Sequence, residues 1–249
     1  MHTRILFVAI AAVLAAAPAV HAQPQDPSRE WEIIDNSFLV EESFNQEAGV
    51  FQNIFTWVLE RDGSWAASFT QEWPAPGLRH QLSYTLVAAD TGSAIGFGDV
   101  LLNYRLQLRS EHARGPAISP RLSLNLPTGN SDRGLGDGVA GLQVNVPASK
   151  QFGDFYLHAN AGFTWLPDVA RTPHVAGSGI WRVAPMLNLM LEAFVALDEF
   201  TTMSPGFRRG WNFGEHQLVV GAAVPVTWRD GDVTPALLTY FSYELPFKR

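Results

Sequence analysis

Seven ionisable side chains fall on the polar positions of segments that otherwise alternate polar with apolar residues. They are Arg105, Arg121, Arg182 and Arg208, with Asp99, Glu192 and Glu244. Charges along one wall of a cavity either sort solutes, as rings of charged side chains do in pores, or lock into a lattice of ion pairs. Two pairings follow from spacing. A hairpin centred near Phe200 sets Glu192 opposite Arg208, which predicts a cross-strand ion pair. Arg105 and Arg121 lie on strands with a short connection, which places their guanidiniums side by side, and like charges facing across strands are destabilising. A carboxylate or an anionic solute should sit between them. Glu41, Glu42 and Glu47, in the acidic stretch 38–48, are the candidate carboxylates, and that stretch is expected either to plug one mouth or to lie on the surface. Tyr156, His158 and Tyr240 share the same polar faces; they could line a path for small aromatic solutes or fill a closed interior.

Hydrolytic chemistry needs a base within reach of a nucleophile and a group to orient the base. Past the first 22 residues the chain offers His80, His112, His158, His174 and His216. His158 with Ser178 on a neighbouring strand is the one inward pairing that can be built, and it has no acid beside it. No G-x-S-x-G, H-E-x-x-H or phosphate-loop pattern occurs. Asp132 and Asp137 do not have calcium-loop spacing. The absence of cysteine excludes thiol nucleophiles, thiolate zinc and disulfides. A formal net charge of −7 leaves no basic footprint for nucleic acid. The expectation is a protein with no catalytic residues, metal or cofactor.

These side chains must be positioned by strands. Charged residues make up 16% of the 249, against roughly 25% in ordinary soluble domains, while 47% are hydrophobic and 12% aromatic. Period-two alternation runs through most of the chain. Phe155, Leu157, Ala159, Ala161, Phe163 and Trp165 oppose Tyr156, His158, Asn160, Gly162 and Thr164, for example. Strands are expected at 49–59, 64–73, 80–87, 98–108, 117–126, 139–149, 155–166, 174–183, 186–197, 203–213, 217–228 and 236–247. Most match the ~9–11 residues of a tilted bilayer-crossing strand, and an even number puts both ends on the periplasmic side. Trp57, Trp65, Trp165 and Trp228 gather near one set of strand ends, and Trp73, Trp181 and Trp211 near the other, as interfacial belts would. In a soluble sandwich or barrel the apolar face would be the interior, and this many Trp and Leu would have to fit inside it. Asn53 and Gln71 are polar exceptions on the apolar face. The fold class read from this pattern is all-β: a single transmembrane antiparallel up-and-down β-barrel of about 12 strands, monomeric, with outer-membrane lipid around it.

At the start, Arg4, the apolar run 5–17 and the small-residue site Val20-His21-Ala22 have the layout of a secretory signal peptide. Residues 1–22 are therefore expected to be a cleaved Sec-type leader, 23–48 a periplasmic segment and 49–249 the barrel. No later stretch is apolar for long enough to span as a helix, so the expected location is the outer membrane of a Gram-negative bacterium.

Several segments resemble the meta-pathway phenol-degradation transporter-like family of outer-membrane proteins. They are Gly96-Phe97-Gly98-Asp99-Val100 into Leu102-Asn103-Tyr104-Arg105, and Arg121-Leu122 to Leu126-Pro127-Thr128-Gly129. Gly134-Leu135-Gly136-Asp137-Gly138, Phe152-Gly153-Asp154 before His158-Ala159-Asn160-Ala161-Gly162, and Ser204-Pro205-Gly206-Phe207-Arg208 before Asn212-Phe213-Gly214 complete the set. The resemblance implies a small barrel that passes small, often aromatic or hydrophobic, solutes, and it implies no catalytic residues. Phe241, Tyr243, Leu245 and Phe247 resemble the final strand that barrel-assembly machinery favours, although Lys248-Arg249 extend past the aromatic. A channel for such permeants or their carboxylates is the expected function. The alternatives are a non-conducting structural barrel and, further off, an outer-membrane lipid hydrolase.

Overall fold

A computed structural model describes residues 32, 33 and 35–247. The expected leader, residues 23–31 and 34 of the expected periplasmic segment, and the last two residues lie outside these. Fifteen strand segments build twelve staves of one closed antiparallel sheet. They are β1 (Val50–Glu60), β2 (Trp65–Pro74), β3 (His80–Asp90), β4 (Ile95–Phe97) with β5 (Val100–Leu106), and β6 (Ala117–Ile118) with β7 (Arg121–Leu126). Then follow β8 (Gly141–Phe152), β9 (Phe155–Leu166), β10 (Ala170–Ala184), β11 (Leu187–Ala196), β12 (Phe200–Phe213), β13 (His216–Ala223) with β14 (Val226–Arg229), and β15 (Asp232–Pro246). Three staves are interrupted. Pro120 and Pro225 have no N–H to give the ladder, and Gly98-Asp99 turns aside to meet a loop. Pairing of β1 with β15, from Val50↔Pro246 to Glu60↔Ala236, closes the barrel and leaves it without an edge.

The polarity is inside out. Leu191 is 51% exposed on the outer face while the next residue, Glu192, is 1% exposed inside; Phe207 is 49% exposed beside Arg208 at 2%. Alternation of successive side chains across the sheet produces this contrast, and an apolar outer band of this kind fits hydrocarbon rather than water. We call the end that carries the start of β1 and the finish of β15 the terminal end, and the other the loop end. Trp57 and Trp65, whose rings meet edge-on at 6.3 Å, lie with Trp165 and Trp228 towards the loop end. Trp181, stacked on Phe155, lies with Trp73 and Trp211 towards the terminal end. On the outer face, Asn53 and Gln71 are register partners, and the Gln71 amide donates to Asn53 Oδ1 at 2.8 Å.

Turn chemistry sets the register. Asp230 and Gly231, with φ of 52° and 90°, make the tight hairpin between β14 and β15 that an Asp-Gly pair favours. The β11–β12 hairpin corrects one expectation. Asp198 adopts φ 63°, and Ala196 pairs with Phe200, so the hairpin centre is Asp198 rather than a point near Phe200. Glu192 therefore faces Ser204, and Arg208 faces Asn188; the expected Glu192–Arg208 ion pair does not form. Asp tolerates the left-handed region better than most residues, which is why the turn closes there.

Candidate functional site: the luminal segment and its charged wall

Residues 32, 33 and 35–48 have no regular secondary structure and lie inside the barrel at its terminal end. A chain buried without a ladder must satisfy its N–H and C=O groups with something else, and here the inward side chains of the staves do so. Glu192, on β11, accepts the N–H groups of Phe38, Leu39 and Val40 at 3.3, 2.9 and 3.2 Å. Asn160, on β9, accepts from Glu41 N at 2.8 Å and donates to Glu41 O at 2.9 Å. Ser149 accepts from Ser43 N, and Gln81 from Gln46 N. Gln107 and Ser119 both donate to Ser43 O at 2.8 Å. The segment thus touches β3, β5, β8, β9 and β11, and its ascending part adds β1, β10 and β15. Gln52 and the Tyr240 hydroxyl donate to Asp35 Oδ1 at 2.7 and 2.6 Å, and Ser37 Oγ lies 2.9 Å from Ser178 Oγ. The segment climbs to mid-height near Phe38 and descends to enter β1.

The arginines anchor it. Arg105 and Arg121 are direct register partners on β5 and β7. Arg121 Nη2 meets Glu41 Oε1 at 2.6 Å. Arg105 donates to Phe44 O at 2.7 Å, to Glu42 O at 3.2 Å and to Asn45 Oδ1 at 3.2 Å, and lies 3.8 Å from Glu72. Glu41 is thus brought to the arginine pair, Glu42 contributes a carbonyl, and Glu47 is exposed. Arg208 donates to the carbonyls of Asp35, Asn36 and Ile33 at 2.7, 2.8 and 3.5 Å. Arg182, at the terminal end, bridges Glu32 and Asp154, each at 2.6 Å. Glu244 accepts weakly from Gln46 at 3.4 Å. Tyr156 is buried beside Ile180 and Met190.

Asp99 serves the other end. It accepts from Gly129 N and Asp137 N, both at 2.8 Å, and from Asn125 at 3.2 Å, which ties the 127–140 loop to the rim. Burial, and then the charge of Asp99, push the Asp137 carboxyl above its ordinary value, and the Asn125 amide opposes them.

His158 and Ser178, the one inward pairing that could be built from the sequence, do not hydrogen-bond to each other. The two are register partners, yet the His158 ring bonds Ser149 on its other flank at 2.7 Å, and Ser178 bonds Ser37. No carboxylate bonds the second ring nitrogen of His158 among the hydrogen bonds of the described residues. Two members of the site were missed from sequence. Glu72 has the inward parity of Thr70 and Ser68 on β2, so period two already placed it inside. Asp35 had no such signal, because it precedes the acidic stretch and belongs to no strand.

Residues 33–224 match the model of the family described as "Putative MetA-pathway of phenol degradation". The chain belongs to that family. The family match takes in the luminal segment from Ile33 together with Arg105, Arg121, Arg182, Arg208 and Glu192, so segment and charged wall fall within one matched stretch. Among solved structures, an outer membrane channel from Pseudomonas putida F1 is similar at TM-score 0.62 and 14% identity, covering 82% of this chain and 98% of that one. That likeness establishes the shared barrel fold. Outer membrane phospholipase A from Escherichia coli superposes more loosely, at TM-score 0.47 and 7% identity over 88% of this chain and 96% of that one. No curated protein sequence matches the chain.

Proposed function

We propose that this protein is a monomeric outer-membrane channel for small solutes, aromatic or hydrophobic compounds and their carboxylates among them, exported by its leader and inserted by barrel-assembly machinery. Residues 32–48 close it from the periplasmic side, which is the terminal end. The observation that carries this reading is the Arg105–Arg121 pair. A barrel serving only as structure would neutralise two facing guanidiniums with carboxylates of its own wall. Here the wall gives the pair one long contact, Glu72 at 3.8 Å from Arg105, while the close contacts, Glu41 on Arg121 at 2.6 Å and Arg105 to Phe44 O at 2.7 Å, come from a segment joined to the wall through β1. Its withdrawal would leave a polar lumen with two adjacent cations, a path suited to anions.

Single-channel recording in planar bilayers tests this, with the mature protein beside a variant lacking residues 32–48. Conductance that rises on deletion, with a reversal potential shifted towards anions, is the expected result. Equal conductance in both would remove the closing role. No conductance from either would favour the non-conducting structural barrel, the reading that the filled lumen otherwise supports.

A further inference from the structure

The apex of the luminal segment is an aromatic ring held in a notch cut for it. Phe38 is packed against both buried apolar clusters of the lumen. One comprises Ile33, Ile54, Met186, Val219, Ala223, Leu238 and Tyr240, the other Tyr156, Ile180 and Met190. Its ring lies 4.9 Å from that of Tyr240, centroid to centroid. The other wall of the notch is bare backbone. A Cβ at Gly221 would stand 2.9 Å from Phe38 Cε1, and one at Gly206 would stand 3.1 Å from Phe38 Cε2. Glycine inside a strand weakens the strand, and it is tolerated where something must approach the backbone closely. These two glycines lie on adjacent staves, and Arg208, two residues past Gly206, is the register partner of Gly221.

Arg208 completes the pattern. Its guanidinium is almost fully buried, and its hydrogen-bond partners among the described residues are neutral oxygens: the carbonyls of Ile33, Asp35 and Asn36, and the side-chain amide oxygen of Asn188. No carboxylate oxygen of the described residues lies within ion-pairing distance of it. A buried guanidinium prefers a charged, bidentate oxygen pair to carbonyls. The same short segment therefore delivers one six-membered ring to the notch and oxygens to the adjacent cation.

We propose that this arrangement is a binding site for a monocyclic aromatic carboxylate, which the protein's own Phe38 and carbonyls occupy at rest. The solute's ring takes the slot over Gly206 and Gly221 against Tyr240, and its carboxylate takes Arg208. Because ring and oxygens of the segment must leave together, binding the solute releases the closing segment, and the permeant opens its own path. This rests on the channel reading above and adds the solute class and the trigger. Phe38 is half-buried rather than sealed in the core.

The test uses the full mature protein with benzoate as probe and acetate and cyclohexanecarboxylate as controls. Acetate lacks a ring, and the puckered cyclohexane ring is too thick for the slot. Ser37→Cys introduces a single thiol, since the chain has no cysteine, and its rate of labelling reports release of the segment. Millimolar benzoate is expected to accelerate labelling several-fold, and the two controls are not. Phe38→Ala should tighten benzoate binding, measured by equilibrium dialysis, roughly tenfold, because a self-occupied site reports an affinity reduced by its free fraction. Gly221→Ala, which fills the slot, should abolish the benzoate effect in both assays. Labelling indifferent to benzoate, or Phe38→Ala binding no tighter than the parent, would overturn the proposal. If deletion of residues 32–48 still raises conductance in that case, the channel reading stands and only the aromatic trigger is lost.

Discussion

Arg105 and Arg121 face one another across β5 and β7 in direct register, and one short stretch of chain, Glu41 to Asn45, caps them both. Facing cations would push neighbouring staves apart; with the stretch seated they become its anchor instead. Barrel wall and luminal segment are thereby coupled, so loosening one should be felt in the other.

Glu41→Gln removes the charge from that anchor and keeps its size. With both side chains partly accessible, the loss is expected to be about 1 kcal/mol of segment docking. Bilayer recordings should show more frequent openings and a reversal potential shifted towards anions. Arg121→Gln in the same background should add less than it costs alone, the mark of a shared interaction; strict additivity would argue against the pair.

Ser37 Oγ and Ser178 Oγ stand 2.9 Å apart, one on the segment and one on β10. Cysteines at both positions should form a disulfide on oxidation, given how close the side chains already lie. The locked protein is expected to lose residual conductance and to recover it with reductant. Current that is unchanged by oxidation, with the bond verified by mass, would mean that solutes pass elsewhere.

Glu192 holds three consecutive backbone N–H groups of the segment. Hydrogen bonds to a charged acceptor are worth more than neutral ones, so Glu192→Ala should cost about 3 kcal/mol of docking. Limited proteolysis from the periplasmic side should then cut within residues 35–48, where the parent resists. Ser204→Ala, at the cross-strand position, should leave that resistance intact.

On the outer face Gln71 donates to Asn53, two amides facing hydrocarbon. Gln71→Leu alone leaves Asn53 Oδ1 without its donor, while Asn53 Nδ2 keeps Tyr243 O, at an expected cost of about 1–3 kcal/mol measured by denaturant unfolding. Asn53→Leu with Gln71→Leu and Tyr84→Phe should restore or exceed parental stability, since the Tyr84 hydroxyl, which donates to Gln71 Oε1 at 3.4 Å, is then removed together with the two amides.

The 127–140 loop gives a pH-dependent handle. Because the folded Asp137 carboxyl lies above its ordinary 3.8, its neutral form favours the docked loop. That contribution is complete below the unfolded value and fades as pH rises through the raised folded one. Protease nicking of the loop should increase from acid to neutral pH, and Asp137→Asn should flatten the change. Asp99→Ala, which removes the acceptor of two loop N–H groups, should expose the loop at every pH.

Much of this could be read from residue order, because a strand's side chains alternate strictly. Parity alone placed Arg208 and Glu192 inside and Phe207 and Leu191 outside, put the tryptophans at the two rims, and counted the staves. Short connections fixed Arg105 against Arg121. The same parity places Glu72 inside on β2. What parity could not give was register across a turn whose centre is set by one residue's backbone. Asp198 in the left-handed region moved the partner of Glu192 from Arg208 to Ser204.

The amino-acid order by itself determined the closed sheet, its greasy exterior and its polar interior, since those follow from local periodicity and the length a bilayer demands. Only the tertiary structure decided what fills the interior. A stretch without regular structure has no period to read, and its place depends on donors and acceptors that β3, β5, β9 and β11 supply from positions far along the chain. The seat of Phe38 between Gly206 and Gly221 is of that kind: the two glycines share one hairpin, but Phe38 comes to them from far earlier in the chain.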